Sequence, residues 1–191
     1  FKASGKFVIA YGDDFSQKAY YLATAADKVY LNPEGAVDFK GIYMQTMFFK
    51  NALAKLNVDV QIIRHGKFKS AVEPFLLEKM SDENRLQLQT FADGIWGHLV
   101  KEIAASRKSD TAKMNMVADS LFALNAEGAL KYGVVDSLIY RDELNKMILA
   151  KSVQTGDIPY ISMSDYFKGI KDKLLSYNKN RIAVIYAFGE I

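Results

Sequence analysis

Residues 6–35 read KFVIAYGDDFSQKAYYLATAADKVYLNPEG. KFVIAY (6–11) is β-branched and aromatic, the composition of a buried strand. GDDFSQ follows as a turn, with Ser16 placed to cap a helix that continues through KAYYLATAA. DKVYL (27–31) is a second short strand, and NPEG (32–35) a turn. Two strands separated by a helix argue for parallel pairing, because a parallel neighbour is reached only through a crossover. The expected class is therefore α/β.

Working outward, Met44, Met47, Phe48, Ala52 and Leu56 repeat at helical spacing and predict a core-facing helix. VDVQIIRHG (58–66) predicts a third strand, so a parallel core is expected from residue 6 to about residue 66. From Ser81 to about Arg107 the pattern is one long helix. Ser81 is a natural N-cap, and Asp82 and Glu83 suit the first turn. Leu88, Phe91, Ile95, Leu99 and Ile103 would line one face. Gly94 and Gly97 weaken this helix in isolation, so close packing is expected of it, at an edge or as a projecting arm. NAEGALKYGVVDSLIYRDELNKMIL (125–149) reads as helix, stop at Gly133, short strand, helix. Residues 151–180 are polar with apolar punctuation and read as a connection. RIAVIYAFGEI (181–191) reads as the first strand of another unit, and the whole chain as a fragment of a longer protein.

Composition narrows the function. The chain has 191 residues, half of them hydrophobic, enough for one large domain. Twenty-five basic residues stand against 22 acidic ones, a net charge of +3, too mild and dispersed to expect a nucleic-acid partner. There are no cysteines, which excludes disulfides and thiolate metal sites. His65 and His98 are the only imidazoles and lie far apart, so no metal site is expected. No apolar run approaches the roughly 20 residues of a membrane span. Neither GxGxxG nor GxxxxGK[ST] occurs, and no cofactor is expected.

Three residues, Lys69, Ser16 and Ser70, are candidates to carry chemistry. Lys69 lies where IIRHGKFKSAVEPF (62–75) leaves the expected third strand and turns toward apolar residues. As a general base it must be neutral near pH 7, which needs its pKa lowered by roughly 3 units from about 10.4. Phe68, Ala71, Val72 and Phe75 are neighbours able to desolvate it. The plainer alternative is a surface lysine in a loop that also holds Lys67 and Lys79, and spacing alone favours that reading. Ser16, after a strand and at a helix N-terminus, could be a nucleophile near backbone N–H groups. Spacing favours a simple cap there too. Ser70 adjoins Lys69, but neighbours in extended chain point to opposite faces, which argues against a direct dyad. His65 and His98 read as structural or solvated.

SQKAYYLATAADKVYLNPEGAVDFKGI, HGKFKSAVEPF and MSDENR, together with EGALKYGVVDSL and the closing RIAVIYAFGEI, span nearly the whole chain. In these segments it resembles the signal peptide peptidase A (protease IV) family in its long bacterial form. The lysine segment is the most specific part. The resemblance implies a Clp-protease or crotonase-like fold, present twice in tandem. Residues 1–150 would be the first repeat with its helical arm, 151–180 the connection, and 181–191 the opening strand of the second repeat. It implies peptide hydrolysis by a serine/lysine dyad whose lysine base falls on Lys69. The serine belongs to a small-residue turn of the second repeat. The equivalent place here, DDFSQKAYY, holds Ser16 or Gln17 and looks degenerate. The resemblance further implies remnant signal peptides as substrate, a homo-oligomer (a tetramer), and a membrane anchor outside this chain. The location implied is the bacterial inner membrane, with catalysis on its extracytoplasmic side. Two other readings stay open: a crotonase-like acyl-thioester enzyme, disfavoured because DDFSQ lacks a glycine pair, and a non-catalytic assembly domain.

Overall fold

A computed structural model describes residues 2–62, 70–151, 158 and 160–174. In chain order the elements are β1 (Ile9–Gly12), α1 (Gln17–Ala23), β2 (Lys28–Leu31), α2 (Lys50–Lys55), α3 (Glu73–Leu76), α4 (Asp82–Ser106), α5 (Thr111–Asp119), α6 (Ala126–Lys131), β3 (Ser137–Leu138), α7 (Arg141–Lys151) and α8 (Met163–Leu174). A 3-10 turn, Ser70–Val72, leads into α3. The chain forms two compact units, divided after Leu144.

The first unit is α/β. Its sheet has the order β1-β2-β3 and every pairing is parallel. Ile9 pairs with Lys28 and Gly12 with Leu31, so the expected strand–helix–strand motif is present with α1 as its crossover. Ser16 caps α1, its Oγ accepting the Ala19 N–H at 3.3 Å. Phe15 bridges in parallel to Val37 just past the strand ends. At Gly35 the chain passes so close to Asp13 that a Cβ would collide with the Asp13 carbonyl oxygen. Gly133 ends α6 at φ 77°, a conformation that favours glycine, and lets the chain turn directly into β3.

The core gathers around one face of this sheet. Val29 and Leu31 from β2 meet Tyr20 of α1, Val100 and Ile103 of α4, and Met114 and Val117 of α5. Tyr20 is fully buried, and its hydroxyl donates to the Val134 carbonyl at 2.7 Å. Burial pushes that phenol well above its usual pKa. Rings continue outward from Tyr20 to Phe39 and on to Trp96, with centroids 5.9 and 5.3 Å apart.

The end of α4 is fastened to the sheet by charge. Arg107, the C-cap residue, donates through Nε to the Gly133 carbonyl at 3.0 Å and through Nη1 to Asp136 at 2.8 Å. Asp136 also accepts the Val29 N–H at 2.8 Å, and Lys28 Nζ lies 3.4 Å away. Burial pushes the Asp136 carboxyl up. The hydrogen bonds from Arg107 and Val29 and the two positive charges outweigh burial and leave it below the usual range. A depressed carboxylate contributes stability that is present above its unfolded pKa, about 3.9, and is lost as pH falls through the folded value. Asp136→Asn is therefore expected to cost about 2 kcal/mol at neutral pH. That lies under the range of roughly 3–5 kcal/mol for breaking a fully buried pair, because the Asp136 side chain keeps 19% exposure. The gap from wild type should close below about pH 4. Denaturant unfolding at several pH values checks this, and a gap independent of pH would contradict it.

Three sequence expectations need correction. Residues 58–62 form no strand, and 63–66 of the expected third strand lie outside the described residues. The place beside β2 is taken by Ser137–Leu138 instead. Strand propensity reports a fit to a pleated, half-buried surface, not which segment wins the edge. The helix expected over Met44–Leu56 shrinks to Lys50–Lys55, and its apolar residues do not face the core. Met47 is 66% and Leu56 72% exposed, and Met44 and Ala52 are exposed too. Short helices persist on tertiary packing rather than periodicity, and this stretch has little of it.

The third correction concerns α4. Its N-cap and length are as expected, with Ser81 Oγ accepting the Asn84 N–H at 3.1 Å. Its apolar face is not uniformly buried: Val100, Ile103 and Ala104 are in the core, while Leu86, Phe91 and Ile95 are exposed. Among the described residues nothing approaches the positions a Cβ would occupy at Gly94 or Gly97, so the close packing of α4 lies toward its C-terminal end, where Val100, Ile103 and Ala104 enter the core. In the second unit, α8 lies inside the segment read as a connection. Ser162 caps it, donating to Asp165 at 2.6 Å and accepting the Asp165 N–H at 3.1 Å.

Candidate active site

Lys69, with Lys67 and His65, lies outside the described residues. The structure describes the segment from Ser70 onward. Ser70 opens the 3-10 turn, and Glu73 follows as the first residue of α3. Glu73 was not singled out in the sequence. It is 1% exposed, the one fully buried carboxylate among the described residues. It accepts the Ser81 N–H at 3.3 Å, the Ser81 hydroxyl at 2.5 Å and the Asn84 amide at 2.9 Å. The signal that could have found it is a carboxylate set among apolar residues in AVEPF, followed eight residues later by a capping serine.

Beyond this anchor, an open groove of about 470 Å³ runs between the extended stretch Lys40–Met44 and one side of α4. Leu88, Ala92 and Trp96 form its apolar floor, and Met44 and Met80 flank it. Lys40, Arg85, Asp93 and Asp119 place charges of both signs around it. Trp96 is held by its indole N–H, which donates to Asn115 at 2.9 Å.

The wall of the groove is tied to α1. Gln17 donates from Nε2 to the Gly41 carbonyl at 2.9 Å, and its Oε1 accepts the N–H groups of Lys40 at 3.2 Å and Gly41 at 3.1 Å. One side chain thus fixes both peptides of a stretch that has no ladder of its own. Of the two residues at the expected degenerate nucleophile position, Ser16 is a helix cap and Gln17 a backbone clamp. Asp13 and Asp14 are also engaged locally: Asp13 accepts from Tyr11 at 3.1 Å and Asn32 at 3.0 Å, and Asp14 accepts the Ala36 N–H at 2.8 Å. Burial, followed by the Asp13 hydrogen bond and charge, raises the Tyr11 phenol pKa. His98 is exposed on α4. Among the described residues no group of three His, Asp or Glu could hold a metal ion. Nor is any helix there long and apolar enough to cross a membrane.

The parallel α/β unit, with its lysine-bearing segment, carries the pattern described as Peptidase family S49 over residues 1–154. The chain belongs to that family. It is 37% identical over its full length to Protease 4 of Haemophilus influenzae, covering 33% of that protein. It is 31% identical, again over its full length, to Protease 4 of Salmonella typhi, covering 32% of it. Its identity to the chloroplastic serine protease SPPA of Arabidopsis thaliana is 26%, covering all of this chain and 28% of that protein. The chain thus spans about a third of the length of these relatives.

Proposed function

We propose that this chain is the base-carrying part of a serine/lysine endopeptidase that degrades cleaved signal peptides. Membership of Peptidase family S49 carries the reading, because it assigns the lysine segment GKFKSAVEPF to a peptidase. Lys69 is the general base. It must be uncharged and dry to take the serine proton and pass it to the leaving amine. The nucleophile belongs to a second repeat that the longer relatives have length to hold. Ser16 and Gln17 are spent on a cap and a clamp, which fits a degenerate copy of that turn.

The fold of each repeat is Clp-protease or crotonase-like, with residues 1–150 as the first repeat, 151–180 as connection and 181–191 as the start of the second. The mixed apolar and charged groove beside Lys40–Met44 suits an extended peptide better than a compact metabolite. The enzyme works as a homo-oligomer, a tetramer, anchored outside this chain to the bacterial inner membrane and acting on its extracytoplasmic side. The exposed Leu86, Phe91 and Ile95 on α4 give such an assembly apolar surface. A strict monomer by light scattering at micromolar concentration would contradict the assembly.

The competing reading is a crotonase-like acyl-thioester enzyme. Full-length protein should hydrolyse apolar peptide esters and leave acyl-CoA thioesters untouched. Turnover of acyl-CoA without peptide hydrolysis would reverse that choice, and turnover of neither would favour a non-catalytic assembly role.

A further inference from the structure

We propose that Glu73 is a positioning residue for the lysine base: it locks the turn that follows Lys69 onto the start of α4. This rests on the reading of Lys69 given above. An ionised carboxylate taken out of water is costly unless its lone pairs are met. Those of Glu73 are met by the Ser81 N–H, the Ser81 hydroxyl and the Asn84 amide. Ser81 is also the N-cap of α4, where the helix dipole favours a negative charge. Glu73, Ser81 and Asn84 thus close a network around the first turn of a 25-residue helix.

Two further contacts hold the same turn. The Pro74 carbonyl accepts the Phe49 N–H at 2.7 Å, and the Phe49 and Phe75 rings stack with centroids 6.0 Å apart. For stability alone, a well-packed apolar side chain would serve as well as a buried carboxylate. The carboxylate adds a directional hold on three donors. Ser70–Val72 is all that separates Lys69 from Glu73, and this 3-10 turn runs into α3 without a break. A fixed Glu73 therefore holds the described turn that begins at Ser70, the residue next to Lys69 in the sequence. Displacing a catalytic group by about 1 Å can cost on the order of 10²-fold in rate.

The test uses the full-length enzyme and an apolar peptide ester, with Lys69→Ala as reference. Glu73→Gln keeps the volume but turns an amide N–H₂ toward groups that donate. Its kcat should fall about 10- to 100-fold with KM within about twofold and the circular dichroism spectrum unchanged. Wild-type kcat in Glu73→Gln, or a change in KM alone, while Lys69→Ala is inactive, overturns the positioning role and leaves the base assignment standing. An active Lys69→Ala overturns the base assignment itself. If Glu73→Gln fails to fold, Asn84→Ala removes one of the donors named above from a helical position. It should lower kcat about 3- to 10-fold at constant KM, and wild-type kcat there would equally overturn the proposal.

Discussion

Lys69→Ala in the full-length enzyme should remove peptide hydrolysis by at least the 10²- to 10⁴-fold typical of a lost general base, while the fold stays intact. Lysine ordinarily titrates near 10.4, so at neutral pH a solvated lysine is almost wholly charged and useless as a base. Lowering its pKa by roughly 3 units requires about 4 kcal/mol of differential solvation, which burial among apolar groups can supply. Lys69→Arg should fail as completely, because a guanidinium keeps its proton in proteins. The rate of wild type should rise with pH through an apparent pKa well under the lysine reference. Lys79→Ala should be mild: Lys79 lies exposed on the loop before α4. A full-length Lys69→Ala variant with wild-type kcat would sink the assignment.

The parts of this molecule legible from sequence are those fixed by local chemistry. Ser16 and Ser81 start helices because their hydroxyls meet orphan N–H groups, and Gly133 stops one because it tolerates positive φ. The β1–α1–β2 motif follows from such signals and from apolar runs too short to be anything but strands. What was illegible depends on competition across the chain. Both VDVQI and VVDSL could be strands. Only the second lies where Asp136 reaches the Val29 N–H and Arg107 locks it in place. Periodicity in Met44–Leu56 could not reveal that its apolar residues meet no buried core among the described residues. The candidate site divides the same way. Ser16 as cap was readable from its position. Gln17 as clamp and Glu73 as anchor were not, because their partners, Gly41 and Asn84, are set by how loops fold back.

A polypeptide of these 191 residues alone should hydrolyse apolar peptide esters no faster than buffer. A serine peptidase that loses its nucleophile drops on the order of 10⁶-fold in kcat, and a base without a serine has nothing to activate. The only residues at the matching turn are already committed. Ser16 Oγ accepts an α1 N–H, and Gln17 spends both ends of its amide on Lys40 and Gly41. A nucleophile needs a base placed to take its proton, and the contact the structure gives Ser16 Oγ is with its own helix. Ser16→Ala in the full-length enzyme should therefore keep kcat within about twofold and cost about 1 kcal/mol of stability, the usual loss of a serine cap. Gln17→Ala should behave differently, raising KM because the groove wall at Lys40–Gly41 loses three hydrogen bonds at once. Hydrolysis by the isolated chain that Ser16→Ala abolishes would place the nucleophile at Ser16, and the two-repeat account of the dyad would fall with it.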